Sequence, residues 1–290
     1  EHVHRELREK PGVSILVYEQ VCAAEKRRRR KRGKMPEPPK RLFINERVCE
    51  GCGDCVAKSS CIALPPVDTI LGTKRRIDQS ACNKDFSCAE GFCPSFVELS
   101  GATPHKSGAT GILEVVESQE IPEPSLPSLD TPKRLLVTGI GGTGVVTIGS
   151  VLGMAAHLDG HGSAILDMTG LAQKNGAVTS HITIAKDPAA SDVFKINNES
   201  ADLLLACDMA TAASNECLSI MRKGQTSAIL NSNVTVTAGV SFNSQEHMDL
   251  ALLRRRISDV AGEEAVSELA ASTTSQNLLG DQVFSNMMML

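Results

Sequence analysis

The spacing of the cysteines is the feature that most constrains the fold. Seven of the ten cysteines lie between positions 49 and 93, and three of them recur at intervals of three in CEGCGDC. The N-terminus lacks the apolar segment of a secretory signal, so we expect a reducing, cytoplasmic compartment. Disulfides are rare there and clustered cysteines usually hold metal. A segment so poor in core residues would need metal to hold it together.

The spacing favours an iron–sulfur cluster over a single zinc ion or a disulfide framework. Zinc sites usually present two CxxC pairs, or one such pair with two histidines. Here Cys49, Cys52 and Cys55 form a CxxCxxC loop that can curl around one iron–sulfur cube. A remote cysteine followed by proline typically holds the fourth iron, and Cys93 in GFCP fits that role. Gly51 and Gly53 leave room for tight turns whose N–H groups can offset the negative charge.

Three further cysteines leave the number of clusters open. Two cubes held by cysteine alone need eight thiolates, and this segment has seven. A second cluster would therefore use another ligand or lack one iron; Cys22, beyond the basic run, is a weaker candidate for an eighth ligand. Alternatively, the three are buried thiols that act as small apolar groups. The candidate metal ligands are Cys49, Cys52, Cys55, Cys93, Cys61, Cys82 and Cys88.

A glycine-rich turn, GIGGTG at 139–144, lies between a strand-like run and a helix-like run. This is the context of a phosphate-binding loop at a helix N-terminus. Gly139 and Gly141 would allow the bend and the approach of a pyrophosphate, and Gly144 would allow close helix packing. Asp167, at the end of the next strand-like run, would complete a nicotinamide-dinucleotide fingerprint. A tight turn without a ligand is the alternative.

Strand-like and helix-like segments alternate after this turn, which predicts βαβ units and a largely parallel sheet in an α/β fold. The run VSILVY at 13–18 predicts a buried strand that closes an upstream sheet. The tail at 245–275 is charged and predicts helix. Asp208, at the end of a strand-like run, is expected to line the crevice beside the glycine loop. Cys207 and Cys217 are expected to be core thiols.

Three motifs in series resemble the 2-oxoacid:ferredoxin oxidoreductases: CAAEKRRRRKRGK, CEGCGDC…GFCPSF and GIGGTGVVT…GLAQKNGAVTSH. The likeness is greatest to the fused form of indolepyruvate:ferredoxin oxidoreductase. It implies a Rossmann-like gamma domain preceded by a small α+β ferredoxin-like iron–sulfur segment. The implied divisions are the end of a thiamine-diphosphate domain at 1–34, a linker at 35–41, the iron–sulfur domain at 42–99, a Gly/Pro-rich linker at 100–133, the gamma domain at 134–245 and a helical extension at 246–290.

The resemblance also implies an activity. In the family, a 2-oxoacid is oxidatively decarboxylated to acyl-CoA, and electrons pass through [4Fe-4S] clusters to ferredoxin. Thiamine diphosphate and Mg would lie in a part outside this sequence, because no GDG…N motif occurs here. The catalytic residues are therefore unknown, and this chain alone should be inactive. The chain lacks an initiator Met and stops abruptly at NMMML, so we expect a fragment of a larger oxidoreductase, which is also expected to be a homo-oligomer.

Carried over by position, the resemblance makes Cys49, Cys52, Cys55 and Cys93 cluster ligands. It assigns the glycine loop and a second polar loop, GLAQKNGAVTSH at 170–181, to the gamma domain. Coenzyme A is the co-substrate there, and Lys174 would be a charge partner for its phosphates. The cofactor-binding residues are then Gly139, Gly141, Gly142, Gly144, Gln173, Lys174 and Gly176.

Composition limits the other partners. The run KRRRRKRGK at 26–34 carries eight positive charges in a chain of net charge −4. It suggests either a nucleic-acid patch or a helix that pairs with an acidic surface or anionic cofactor. With no Trp, one Tyr and seven Phe, base-stacking platforms are scarce, so we expect no nucleic acid. No apolar run approaches the ~20 residues of a membrane span, so we expect no membrane contact. The competing functions are an NAD(P)-dependent iron–sulfur reductase and a zinc-bearing, non-enzymatic interaction module.

Overall fold

The computed structural model describes residues 2–102, 122–170, 176–190, 194–233 and 248–290. The predicted site residues Gln173 and Lys174 lie outside these ranges. Within them, no helix combines the length and the apolar character that a bilayer crossing requires.

The first part of the chain is built from short elements. Helices α1 and α2 precede a cysteine-rich segment that contains one helix, a two-stranded sheet of β1 with β4, and a hairpin of β2 with β3, both antiparallel. The bounds are α1 His2–Arg8, α2 Ala23–Lys31, β1 Lys40–Ile44, α3 Asp54–Ser59, β2 Pro66–Thr69, β3 Gly72–Arg75 and β4 Phe96–Ser100.

Helix α2 contains most of the basic run. It begins after Cys22, whose sulfur accepts the backbone N–H of Glu25 at 3.4 Å. On the side that faces the cysteine-rich segment, Arg27 donates to Ala81 O at 2.9 Å and Arg30 donates to Asn83 O at 2.6 Å. The basic run is therefore a helix whose arginines bond to backbone carbonyls of the cysteine-rich segment.

The predicted strand at 13–18 is wrong. These residues have no regular secondary structure, and Val13, Ile15 and Val17 are exposed. A strand needs a neighbouring strand to accept its backbone hydrogen bonds, and β-branched residues alone do not supply one. The described part of the chain offers no such neighbour to this run.

The second part is an α/β fold around a six-stranded sheet of order β10-β9-β8-β5-β7-β6. Strand β7 is antiparallel to both of its neighbours, and the other strands run in one direction. The prediction of a largely parallel sheet is confirmed. The bounds are β5 Lys133–Ile140, α4 Val145–Leu158, β6 Gly162–Thr169, β7 Ala177–Ala185, β8 Leu203–Ala206, α5 Met209–Ala212, α6 Asn215–Ile220, β9 Ser227–Asn231, α7 Leu250–Ala261, β10 Val266–Leu269, α8 Ala271–Leu279 and α9 Ser285–Met289.

Helices cover both faces of this sheet, because its central strands are apolar on both sides. Leu136 and Leu204 pack on one face with α5, α6 and α7. Val137, Leu205 and Ile182 pack on the other face with α4, α8 and α9. This arrangement leaves the carboxyl ends of β5 and β8, and the glycine turn after β5, at one edge of the sheet.

The C-terminal tail is only partly helical. Val266–Leu269 forms the edge strand β10, which pairs in parallel with β9. The prediction of a helical tail missed this strand, because the run VSEL is only four residues long and contains two apolar and two polar residues. The strand makes the tail an integral part of the sheet.

Burial predicts the effect of one matched pair of substitutions. Leu204 in β8 is 0% exposed and Leu158 at the end of α4 is 77% exposed. Leu204→Ala should lower the free energy of unfolding by ~2–5 kcal/mol, because it leaves a cavity in the core. Leu158→Ala should change it by less than ~0.5 kcal/mol. Urea unfolding followed by far-UV circular dichroism measures both, and equal effects would contradict the packing.

Candidate functional site

A cavity of about 170 Å³ opens among the cysteines of the first part. Its lining includes Cys49, Cys52, Cys55 and Cys93, and Cys88 also borders it. The structure thus brings the CxxCxxC loop together with the distant Cys93, as the spacing predicted. Both sides of this pairing come from loops that flank the small sheet of β1 with β4.

The loop that carries the first three cysteines is held by backbone contacts. Cys49 N donates to Asn45 O at 2.9 Å, and Gly51 N donates to Cys49 Sγ at 3.4 Å. Gly51 has φ +72°, and a Cβ at this position would lie 2.2 Å from Thr73 O. Only glycine fits between this loop and the hairpin of β2 with β3, so the predicted tight turn is confirmed at Gly51.

The Cys93 side is attached to the same loop. Asn45 N donates to Ser95 O at 2.8 Å, and Ser95 is 2% exposed. Cys93 Sγ lies 3.0 Å from Ser95 Oγ. The backbone contact between the two loops explains why cysteines more than forty residues apart share one cavity.

A buried cation also lines this cavity. Arg75, the last residue of β3, is 1% exposed and donates from Nη1 to Leu64 O at 3.2 Å. Its Nε and Nη2 atoms have no hydrogen-bond partner. Burial raises the pKa of Cys55, and the charge of Arg75 opposes that rise. The cavity therefore combines thiols with a buried guanidinium of which two nitrogens, Nε and Nη2, lack an acceptor.

Cys61, Cys82 and Cys88 form a neighbouring group. They pack with Leu42, Ile44 and other apolar residues in the core of the segment. Burial, together with negative charge on Cys61 and Cys82, raises the pKa of Cys88 to about 12. Burial likewise raises the pKa of Cys82. The three thiols share one core cluster, which suits either a second ligand group or a sulfur-rich core.

The cysteines of the segment supply only thiol donors. All ten cysteines lie in the described ranges and are free thiols, so the structure contains no disulfide among them. Among the described residues, no group of three or more His, Cys, Asp or Glu side chains is placed so that it could hold a metal ion. The thiols instead surround a cavity, with an unsatisfied buried guanidinium at its wall.

The glycine loop is a turn between β5 and α4. Thr143 Oγ1 donates to Ile140 O at 2.7 Å, and Gly141 N donates to Gly176 O at 2.8 Å. The second contact brings the glycine loop against the end of the second polar loop. Gly142 and the first turn of α4 at Val146 are exposed, and Gly144 caps that helix without a side-chain acceptor. The helix therefore begins without a side-chain cap, as helix starts that bind anions do.

Of the two acidic residues predicted near this loop, Asp167 faces α4, with Oδ1 3.7 Å from the position that a Cβ on Gly149 would take. Asp167 lies on β6, and β7 separates β6 from β5. At the usual strand spacing this places Asp167 about 10 Å from the glycine strand. Asp208 is 1% exposed, and its carboxylate accepts Thr211 N at 2.9 Å as the cap of α5. The prediction that Asp208 lines the crevice is wrong.

Two contacts near the sites were missed by the sequence analysis. Asn286 on α9 lies against Gly144 in the glycine loop, and nothing in the local sequence near 286 indicated this. Arg75 belongs to the run KRR at 74–76, between Cys61 and Cys82. Basic residues inside a cysteine-rich segment are the sequence signal that could have indicated a cation near the thiols. Cys207 and Cys217 are buried, as predicted, and burial raises the pKa of Cys207 to about 12.

Comparison with protein families decides the identity. Residues 134–290, more than half of the chain, match the model described as "Pyruvate ferredoxin/flavodoxin oxidoreductase". The chain belongs to this family. The resemblance to 2-oxoacid:ferredoxin oxidoreductases drawn from the three motifs is thus confirmed at the level of the family. A search of curated proteins found no match.

Three solved structures are similar to part of this chain. Subunit PORC of pyruvate oxidoreductase from Thermotoga maritima is 14% identical over 55% of this chain and 74% of its own, with a TM-score of 0.39. The gamma subunit of a keto/oxoacid ferredoxin oxidoreductase from Geobacter sulfurreducens is 15% identical over 53% and 71%, with a TM-score of 0.35. The 2-oxoglutarate:ferredoxin oxidoreductase from Magnetococcus marinus is 14% identical over 55% and 23%, with a TM-score of 0.37. The family assignment depends on the sequence match alone.

The contact between Gly144 and Asn286 predicts a double-mutant effect. Gly144 has φ +79°, and a Cβ there would lie 2.3 Å from Asn286 Nδ2. Gly144→Ala should destabilise the fold by ~2–5 kcal/mol, the sum of a left-handed backbone penalty and overpacking. Adding Asn286→Ala to Gly144→Ala should recover part of this loss. The second substitution removes the clash and leaves the backbone penalty.

Gly142→Ala is the matched control. Gly142 has φ +105° and nothing within 4 Å of the position a Cβ would take, so only the backbone penalty of ~1–2 kcal/mol applies. Urea unfolding gives the free energy of unfolding of the wild type, of the three single variants and of the Gly144→Ala/Asn286→Ala double variant. Equal losses for the two glycine variants, or no coupling to Asn286, would show that α9 does not contact the glycine loop.

Proposed function

We propose that this chain is the electron-transfer and gamma portion of an indolepyruvate-type 2-oxoacid:ferredoxin oxidoreductase. The larger enzyme would decarboxylate a 2-oxoacid oxidatively to acyl-CoA and pass the electrons to ferredoxin. The observation that carries the proposal is the cavity in which four cysteines from two distant loops meet a buried arginine. It lies in the same chain as a domain of the pyruvate ferredoxin/flavodoxin oxidoreductase family.

Cys49, Cys52, Cys55 and Cys93 would hold one [4Fe-4S] cluster in this cavity. When bound, such a cluster accepts and releases single electrons, which thiamine chemistry requires because its adduct gives up two. The protein contributes the thiolates, the turn at Gly51 and an N–H group directed at Cys49 Sγ. Hydrogen bonds to the ligand sulfurs and the degree of solvent exposure set the potential at which such a cluster works.

Cys61, Cys82 and Cys88 are candidates for a second cluster. Their proximity to one another supports this assignment, because a cluster needs several thiols at one place. Three thiolates fall one short of a cube held only by cysteine, so a second cluster would use another ligand or lack one iron. Iron analysis separates one cluster from two.

The glycine loop would bind the phosphates of coenzyme A. The start of α4 without a side-chain cap, and the contact of the loop with Gly176, support a phosphate site. Gln173 and Lys174 precede Gly176 in the sequence, and we propose that Lys174 pairs with a phosphate. With Gly139, Gly141, Gly142 and Gly144, these residues form the proposed cofactor-binding set.

The remaining assignments follow from the family resemblance. We propose that residues 1–34 end a thiamine-diphosphate domain that carries the substrate site with Mg, so that this chain alone does not decarboxylate. Residues 42–99 would be the ferredoxin-like domain and residues 134–245 the gamma domain, in a cytoplasmic homo-oligomer that reduces ferredoxin.

The structure weakens the proposal of an NAD(P)-dependent reductase. The dinucleotide fingerprint needs an acidic residue at the end of the strand beside the glycine strand. Strands β7 and β8 flank β5, and neither ends in an acidic side chain that faces the glycine loop. A zinc-bearing interaction module would usually present two CxxC pairs, and the CxxCxxC spacing is more typical of an iron–sulfur cluster.

Metal and cofactor assays test the function. The chain purified without oxygen should be brown and contain about four irons and four sulfides per cluster. NADH alone should leave its absorption unchanged, and coenzyme A should bind measurably. Zinc without acid-labile sulfide, or bleaching by NADH, would contradict the proposal and support one of the two alternatives.

Two cysteine variants locate the cluster. Cys93→Ser should remove most of the iron and sulfide of one cluster, because it deletes a ligand. Cys22→Ser is the matched control: Cys22 is exposed and does not line the cavity, so iron content should stay at the wild-type level. Equal iron content in both variants would place the cluster elsewhere.

A further inference from the structure

Arg75 is a buried cation without a matching anion. Its side chain is 1% exposed, it makes one hydrogen bond, to Leu64 O at 3.2 Å, and its Nε and Nη2 atoms have no partner. A guanidinium remains protonated in proteins, so it cannot avoid the cost by losing its charge. Burial of an unpaired charge costs far more than a normal fold tolerates. A negatively charged group is therefore expected beside Arg75.

The unpartnered side of Arg75 lies at the thiol cavity. Arg75 lines the cavity, and Nη2 lies 3.8 Å from the position that a Cβ on Gly53 would occupy, in the CxxCxxC loop. Three carboxylates of the described ranges also line the cavity, and none of them forms an ion pair with Arg75. Asp54, for example, is 62% exposed and pairs with Lys58 at 2.6 Å. The remaining groups that can supply negative charge are the cysteines, which lose their protons when they bind metal.

We propose that Arg75 is a positioning residue: the internal counter-ion of the cluster held by Cys49, Cys52, Cys55 and Cys93, which raises its reduction potential. This inference rests on the proposed function. A cluster bound by four thiolates is negatively charged, and reduction adds one electron and one more negative charge. No bond to Arg75 forms or breaks, and the guanidinium keeps its proton. A nearby cation stabilises the more negative state more, and burial strengthens that effect.

Arg75→Gln tests the proposal by removing the charge and keeping a hydrogen-bond donor for Leu64 O. The complete chain, purified without oxygen, is titrated with dithionite and the reduced cluster is quantified by electron paramagnetic resonance. At a fixed solution potential, the ratio of reduced to oxidised cluster should fall at least tenfold, which corresponds to about 59 mV for one electron. The shift should persist in high salt, because water does not reach the side chain.

Arg76→Gln is the matched control. Arg76 follows Arg75 directly, its side chain is 55% exposed, and it pairs with Glu46 at 2.5 Å. Water screens this charge, so its removal should change the ratio by less than about twofold. Arg75→Lys keeps the buried charge and should give a ratio closer to wild type than Arg75→Gln does.

The outcomes separate this inference from the proposed function. A wild-type chain without iron and sulfide overturns the proposed function itself. A loaded Arg75→Gln chain with the wild-type ratio, or one that matches Arg76→Gln, overturns only the role of Arg75. If Arg75→Gln cannot hold a cluster, Arg75→Lys decides: cluster retention supports the need for a charge, and loss shows that only the shape of arginine matters.

Discussion

The cysteine-rich segment depends on how few apolar side chains hold it together. Its core has five buried hydrophobic residues, and sulfur atoms from Cys49, Cys55, Cys61, Cys82 and Cys88 pack against them. Such a core is too small to order long loops by apolar burial alone. In small metal-binding domains, ligation supplies the missing free energy of folding. The same thiols that would carry electrons are then also the stabilising elements of the segment.

The basic helix α2 has a structural use in this arrangement. Arg27 and Arg30 bond to the carbonyls of Ala81 and Asn83, the two residues that flank Cys82. Lys31 pairs with Asp281 near the C-terminus at 2.5 Å. The positive charges thus connect three stretches of chain that are distant in sequence. This accounts for part of the run without nucleic acid, and the exposed Arg28 retains its charge on the surface.

Local signals predicted that Cys49, Cys52 and Cys55 meet Cys93, but they did not predict every strand correctly. The spacing of Cys49, Cys52 and Cys55 reflects the geometry of a loop around a ligand, so it can be read without the rest of the fold. The run at 13–18 and strand β10 could not be assigned in this way, because a strand is defined by its neighbour. Arg75 was missed for a related reason. Its burial follows from the hairpin of β2 with β3, which places it behind Gly53, and the sequence shows that a residue is charged but not how deeply it is buried.

Strand β7 explains why the glycine loop need not bind a dinucleotide. In the nicotinamide-binding arrangement, the strand beside the glycine strand is parallel to it and ends in the acidic residue that holds the ribose. Here an antiparallel strand occupies that place, so its first residue, Ala177, rather than its last lies beside the glycine turn at Ile140. Gly176, the residue before β7, also accepts a hydrogen bond from Gly141 N in the glycine turn. A phosphate bound at this turn would therefore lie beside Gly176 rather than beside the end of a parallel strand, which is why we propose Gln173 and Lys174, the residues that precede Gly176 in the sequence, as its partners.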